Sequence, residues 1–365
     1  MNQNFSASRR NPSLDLLKGL AIFMVVMGHV ITMCIREIDA AFIFKFIGNT
    51  HMPIFFFVSG YLSYKSGWQT PRLKKRFLQL MVPMLLIPML WVWYFPHSGL
   101  QSPICHSLKD TWASVYKDGY WFTLCLFEQF VVYYLLCLVL RRLRRTWMQV
   151  AACVLTYAVL LLLFTGANVD ANFDPFGLTL LSNFFPIFMM GVFARKHKDG
   201  FERIWQSGTW VTVSIVVFAC TFYAVAYPWE MPYSESIHKP IITSIISPIM
   251  QAAWMVVAMS VVAPWASREF AAGHRPTAAA RYFDLLGNES LGIYLLHYFF
   301  LFPLTPLQEP MRLLGLHTTP LLIVAIPVAF CIIGVTLIAL QFIGKSPLLA
   351  WLLTGKIPAR IEKRL

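Results

Sequence analysis

The run Leu14-Asp-Leu-Leu-Lys18-Gly-Leu-Ala-Ile-Phe-Met-Val-Val-Met-Gly28-His29-Val-Ile-Thr-Met-Cys34 decides the fold. Apart from Asp15, Lys18, His29 and the hydroxyl of Thr32 it is apolar on every side, and it is as long as the roughly 20 residues that carry a helix across a bilayer core. It is too long for the core of a signal peptide and lacks a cleavage site, so it reads as a first membrane helix. Nine further runs repeat the pattern: 41–64, 77–95, 120–140, 147–165, 176–194, 209–227, 241–264, 283–302 and 319–343. Apolar runs this long do not alternate as the strands of a membrane barrel do. The expected fold is therefore an all-α, polytopic transmembrane bundle of about ten helices.

Composition agrees. Of 365 residues, 58% are hydrophobic and only 13% charged, which leaves too little charge to solvate a globule of this size. An aromatic content of 15% excludes a disordered chain, and seven cysteines are far too sparse for a disulfide scaffold. Most of the cysteines lie in apolar runs and read as core residues; Cys34 and Cys105 are both placed near the outer side, where a disulfide between them is an open option. The net charge of +13 is explained by placement. With the N-terminus inside, 24 of the 30 lysines and arginines fall in the inner segments, around Arg9, Arg72–Arg76, Arg141–Arg145, Arg195–Arg203, Arg268–Arg281 and the tail. The rest, Arg36, Lys45, Lys109, Lys117, Lys239 and Arg312, fall outside. That alternation follows the positive-inside rule and puts both termini in the cytoplasm, with the lipid bilayer as partner and no need of nucleic acid. A single domain over 1–365 is expected, with 1–12 and 344–365 as cytoplasmic segments.

Ionisable side chains inside a span are costly and mark function. On a helix, Lys18 and His29 fall roughly 60° and 40° from Asp15, so the three share a stripe that must face protein or a cavity. The bland alternatives are that Asp15 caps the helix and that His29 bonds a neighbouring carbonyl. In the second run, Gly48-Asn49-Thr50-His51-Met52-Pro53 predicts a break, with a half-helix starting at Pro53 and aiming free N–H groups into the interior, where they can hold an oxyanion. Alternatively His51 only ends a short span at the outer interface. Glu128, in the fourth run, can orient a histidine or serve a structural pair. Ser290 and His297 share a helix face seven residues apart, with Tyr294 nearby. Arg72-Leu-Lys-Lys75-Arg76 reads either as a topology and lipid-headgroup signal or as a phosphate site. The histidines are scattered singly, without metal-ligand spacing, and neither a Walker motif nor a G-x-S-x-G elbow occurs.

Taken in order, Ser13–His29, His51-Met-Pro53-Ile-Phe-Phe-Phe-Val-Ser59-Gly60-Tyr61, Arg72–Arg76 followed by Pro83, Tyr120-Trp121-Phe122-Thr-Leu124 and Gly287-Asn288-Glu-Ser290-Leu-Gly-Ile-Tyr294-Leu-Leu-His297 resemble the bacterial membrane acyltransferase family 3. The wording is closest to its fucose-acetylase and intercellular-adhesin branch. The resemblance implies about ten helices in the bacterial inner membrane. It also implies transfer of an acyl group, acetyl by default, from cytoplasmic acyl-CoA to a hydroxyl of a cell-surface or lipid-linked sugar or glycolipid. The family's first-helix histidine corresponds to His29. Its Arg-x-x-Arg pair is matched by Arg72-x-x-Lys75 with Arg76 beside it, and lysine lacks arginine's two-pronged phosphate contact. On this reading His29, Asp15 and Glu128 are the catalytic candidates. His51, Ser59, Ser290, Tyr294 and His297 serve the oxyanion or acceptor side, while Lys18, Arg72, Lys75 and Arg76 hold acyl-CoA. His29 acts as general base, or alternatively carries the acyl group covalently. The competing class is a secondary transporter or glycan exporter, since broken helices and buried histidines also suit proton-coupled transport.

Overall fold

The computed structural model describes residues 11–35, 41–65, 67–100, 108–166, 174–227, 242–313 and 318–362. These are helical, with no strand among them. Among the described residues, nine helices are long and apolar enough to cross a membrane, and a bent pair makes a tenth candidate. In chain order the helices are α1 (Pro12–His29, continued as a π-helix over Val30–Ile35), α2 (Phe42–Ser63), α3 (Leu73–Tyr94), the short α4 (Leu108–Ala113), α5 (Trp121–Leu140), α6 (Thr146–Gly166), α7 (Leu178–Lys196), the short α8 (Lys198–Gln206) and α9 (Gly208–Ala226). Then come α10 (Ser247–Glu269), α11 (Ala278–Asn288), α12 (Ser290–Leu296), α13 (Thr305–Leu313), α14 (Thr318–Gly344), α15 (Pro347–Thr354) and α16 (Ala359–Glu362). The start of α1, the α2–α3 loop and the ends of α5, α7, α10 and α14 lie at one end of the bundle, called the basic end below. Residues Arg9, Arg36, Cys105 and Lys239, used above for topology or pairing, lie outside the described residues.

Two departures from the sequence reading matter for the site. The second span is not broken: α2 runs unbroken from Phe42 to Ser63 with Pro53 inside it. The proline removes the bond that residue 53 would make to the Asn49 carbonyl, and the helix runs on through that gap. The free N–H groups expected at His51–Ile54 therefore belong to a continuous helix, and the half-helix oxyanion site is withdrawn. The break lies instead in the ninth run. There α11 stops at Asn288, α12 restarts at Ser290, a 3₁₀ turn covers His297–Phe300, and the chain then bends by 96° into α13. Asn, Ser and Gly around residue 288 favour caps over helix interior, and Phe302 precedes Pro303, which disfavours α geometry.

Helix crossings that hold α1 and α2 in place are made by glycines. A Cβ at Gly19 would overlap the Phe283 carbonyl and one at Gly287 the Asp15 carbonyl, so α1 and α11 meet backbone to backbone. Gly60 against Phe188 and Gly191 against Phe57 do the same for α2 and α7. In lipid, where apolar surface gains little from burial against apolar surface, such close approach is a main source of helix affinity.

Candidate active site

α1 ends as an α-helix at His29, and the chain continues at once as a π-helix, a local widening that recurs at functional positions. The imidazole is half-buried and faces protein, not lipid. Its Nε2 shares a hydrogen bond of 2.8 Å with the Tyr298 hydroxyl, and its ring lies 5.2 Å from the His297 ring between centroids. His51 is within electrostatic reach of it. Tyr298 is buried and fixed by rings on several sides: His297 at 4.3 Å, Tyr120 at 5.2 Å and Trp91 at 5.5 Å between centroids. Gly119 abuts the phenol so closely that a Cβ there would overlap the hydroxyl oxygen.

The tautomers of the other two histidines follow from their partners. His297 Nδ1–H donates to the carbonyls of Ile293 and Tyr294, both at 2.9 Å, and His51 Nδ1–H donates to the Ile47 carbonyl. A carbonyl only accepts, so Nδ1 carries the proton in each ring and Nε2 remains an acceptor. His297 Nε2 is buried with no hydrogen-bond partner among the described residues. Three imidazoles thus come together where the sequence had scattered them, and Tyr298, which the sequence reading passed over, joins them. The signal was present: Tyr298 lies four residues after Tyr294, but the switch to 3₁₀ geometry at His297 hid which face it takes.

At the basic end the cationic candidates also converge. A cavity of about 240 Å³ is lined by Lys18, Ser59, Arg76, Gln79, Ser290 and Tyr294, among others. Ser59, Ser290 and Tyr294, expected on the acceptor side, therefore share a chamber with Lys18 and Arg76. A second cavity, about 380 Å³, takes in Arg72, Lys75, Arg76 and Gln79; a third, about 250 Å³, Lys75, Gln79, Asn288 and Gly355. Helical spacing explains the selection, since Arg72, Lys75, Arg76 and Gln79 share one face of the start of α3 while Lys74 turns away. Gln79 lines all three cavities, accepts from Arg76 at 3.1 Å and was not foreseen. The Arg76 guanidinium lies 4.5 Å from the centre of the Phe130 ring. A larger cavity, about 670 Å³, opens at the same end between α1, α7, α8 and α10. It has neither the α3 cations nor Tyr294 in its wall, so size does not make it the donor chamber.

Segments near the C-terminal side complete this wall. Trp351 Nε1–H donates to the Leu78 carbonyl at 3.1 Å, and Gly355, at φ +72°, packs onto the Gln79 carbonyl. Lys356 binds the Glu289 carboxylate at 2.6 Å, and Glu362 pairs with Lys75, which holds the Glu362 carboxyl below its usual range.

Tyr294 lines the 240 Å³ cavity together with Phe55 and Phe122. Its hydroxyl donates to the Gly119 carbonyl at 2.5 Å and accepts from the Phe122 N–H at 3.1 Å. Tyr298 stands about one helical turn, roughly 5 Å, beyond it. Asp15 is paired with Lys18 at 2.9 Å, and lies about 21 Å along the axis from His29, too far to touch it. Nor does Asp15 cap the helix; Asn11 does, accepting from the Ser13 N–H at 3.1 Å. Glu128 has Asp174 and Lys117 as its charged neighbours at the opposite end, and its Oε2 is buried with no hydrogen-bond partner among the described residues. There Lys117 is fully buried, and its ammonium donates to the carbonyls of Ser114 at 2.6 Å and Asp174 at 2.7 Å. Burial lowers Lys117 to about 8, against the opposing pull of Asp174 and Glu128.

An imidazole bonded to a phenol, with a cation-lined chamber one turn away, is the equipment of a group transfer onto or from an anionic carrier. A family model described as an acyltransferase domain matches residues 11–340. The chain belongs to the acyltransferase 3 family. Among curated proteins, this acyltransferase 3 member is 28% identical to nodulation protein NolL of Mesorhizobium japonicum over 231 residues, 58% of this chain and 56% of that protein. It is 36% identical to nodulation protein NolL of Sinorhizobium fredii over 86 residues, 22% of this chain and 24% of that protein. The chain thus spans little more than half the length of one relative and a quarter of the other. No solved structure matches it.

Proposed function

We propose that this acyltransferase 3 member is an O-acyltransferase of the bacterial inner membrane. It takes an acyl group, acetyl by default, from acyl-CoA at the basic, cytoplasmic end and passes it to a hydroxyl of a cell-surface or lipid-linked sugar at the other. The observation that carries the reading is the His29–Tyr298 hydrogen bond standing one turn beyond Tyr294, which lines a chamber together with Lys18 and Arg76. Arg72, Lys75 and Arg76 would hold the donor's phosphates, with the arm of the carrier running past Gln79 and Tyr294.

In the transfer, the acceptor oxygen attacks the thioester carbon while His29 takes the hydroxyl proton. As the acceptor displaces the phenol from Nε2, the Tyr298 hydroxyl is freed to donate to the developing oxyanion. The tetrahedral intermediate collapses, the C–S bond breaks, and the thiolate leaves with the proton held by His29. The products are the sugar ester and free coenzyme A.

The test uses protein purified in detergent, acetyl-CoA and a panel of octyl glycosides, following release of free thiol and formation of ester. Acceptor-dependent thiol release that disappears in His29→Ala, with folding intact, supports the reading. Full activity in that variant rejects His29 as base. If no glycoside stimulates release but solute moves across sealed vesicles, the protein is a transporter.

A further inference from the structure

The strained turn Lys117-Asp118-Gly119 sits at the end of the bundle away from the basic chamber, directly before α5. Its three residues all have positive φ, +47°, +51° and +94°. Lys and Asp rarely adopt such a conformation, and it persists only where surroundings enforce it. Enforcement is plain here. The Lys117 ammonium is tied to Ser114 and Asp174, the Lys117 N–H donates to the Ser114 hydroxyl at 3.1 Å, and the Gly119 N–H donates to the Tyr116 carbonyl at 2.7 Å. Asp174 in turn caps α7, accepting from the N–H groups of Leu178 and Thr179, both at 2.9 Å.

What this bracing holds still is the Asp118 carboxylate. Thr111 donates its hydroxyl to Oδ2. Oδ1 is buried and has no hydrogen-bond partner among the described residues. Asp118 is within electrostatic reach of the Tyr298 phenol, and its neighbour Gly119 touches that phenol. A buried carboxylate oxygen left unpaired is expensive, and a hydroxyl donated to it makes one of the stronger neutral-to-charged hydrogen bonds.

We propose that Asp118 anchors the acceptor: its free Oδ1 accepts a hydrogen bond from a hydroxyl next to the one that is acylated, so the acceptor is a polyol such as a sugar, with at least two neighbouring hydroxyls. This rests on the acyltransferase reading above and adds its acceptor-binding group. Asp118 carries no proton in the transfer; it fixes which hydroxyl reaches His29.

The experiment compares wild type, Asp118→Asn and Thr111→Val on an octyl glycoside that wild type acylates, on the monodeoxy glycoside lacking the neighbouring hydroxyl, and on acetyl-CoA. Asp118→Asn should raise the acceptor KM at least tenfold and leave the acetyl-CoA KM within twofold. Thr111→Val, which only loosens the carboxylate, should give a smaller rise. Wild type should lose at least tenfold on the deoxy acceptor, while Asp118→Asn should be nearly indifferent to the missing hydroxyl. An unchanged acceptor KM in folded Asp118→Asn, equal sensitivity of both proteins to deoxygenation, or parallel rises in both KM values with loss of thermal stability would each overturn the proposal. If wild type acylates none of the glycosides, the sugar-acceptor reading itself falls, and this inference with it.

Discussion

Tyr298→Phe isolates one oxygen atom. The phenylalanine ring keeps the contacts with Trp91, Tyr120 and His297, so packing is conserved and only the 2.8 Å bond to His29 is lost. A net hydrogen bond contributes about 1 kcal/mol to stability, so the variant should fold and melt within a few degrees of wild type. Catalysis should suffer more. A preorganised donor to an oxyanion in a site shielded from water is worth about 2.7–4 kcal/mol, a loss of roughly 10²–10³ in kcat. The donor and acceptor KM values should move by less than about threefold, because the phenol's contribution arises in the transition state. The assay is steady-state thiol release from acetyl-CoA with a glycoside acceptor, alongside a thermal melt in the same detergent. A folded Tyr298→Phe protein that keeps more than a third of wild-type kcat would refute the role given to the phenol.

Gly119→Ala attacks the same pair from the other side: the added Cβ would lie 1.8 Å from the phenol oxygen, on a backbone at φ +94° that strains any side chain, so the phenol must move by more than about 1 Å, a displacement that costs on the order of 100-fold or more in rate. In a Tyr298→Phe background the further loss should be below about tenfold, since both changes act on one contact; full additivity in the kinetic cycle would count against it. Arg76→Ala should raise the acetyl-CoA KM by about tenfold or more, the worth of a charge-assisted phosphate contact, and leave the acceptor KM alone; a change in acceptor KM only would move Arg76 out of the donor chamber. Lys117 gives a pH signature. With its folded value lowered to about 8, the folded protein binds fewer protons than the unfolded chain between there and the ordinary lysine value. Stability should therefore rise with pH through that window relative to Lys117→Met, as read from melts at pH 7.5 and 9.5. A constant gap between the two proteins would contradict the buried ammonium.

The helical spans were legible because hydrophobic length is a one-dimensional signal. The family followed from motifs along α1 and α2, and the cation cradle from the helical spacing of Arg72, Lys75 and Arg76. Other features depended on three-dimensional context. Pro53 looked like a helix break, but α2 runs on through it, packed backbone to backbone on α7 at Gly60 and Gly191. Glu128 looked like a histidine's companion, yet it lies beside Lys117 and Asp174, residues separated from it in sequence and joined to it only by folding. Tyr298 was hidden by the 3₁₀ turn that reorients it. The left-handed turn at Lys117–Gly119 had no sequence cue beyond the glycine, because its energy is supplied by bonds from Ser114 and Asp174.

Residues 347–362 dock across the beginning of α3, through Trp351 on Leu78, Gly355 on Gln79 and Glu362 on Lys75. They emerge from the ribosome after every membrane helix described above. The cation-lined cavities thus gain this side wall only after the last described membrane helix has been made, so a nascent chain can hold those helices in the bilayer while the pocket proposed for the donor still lacks one of its sides.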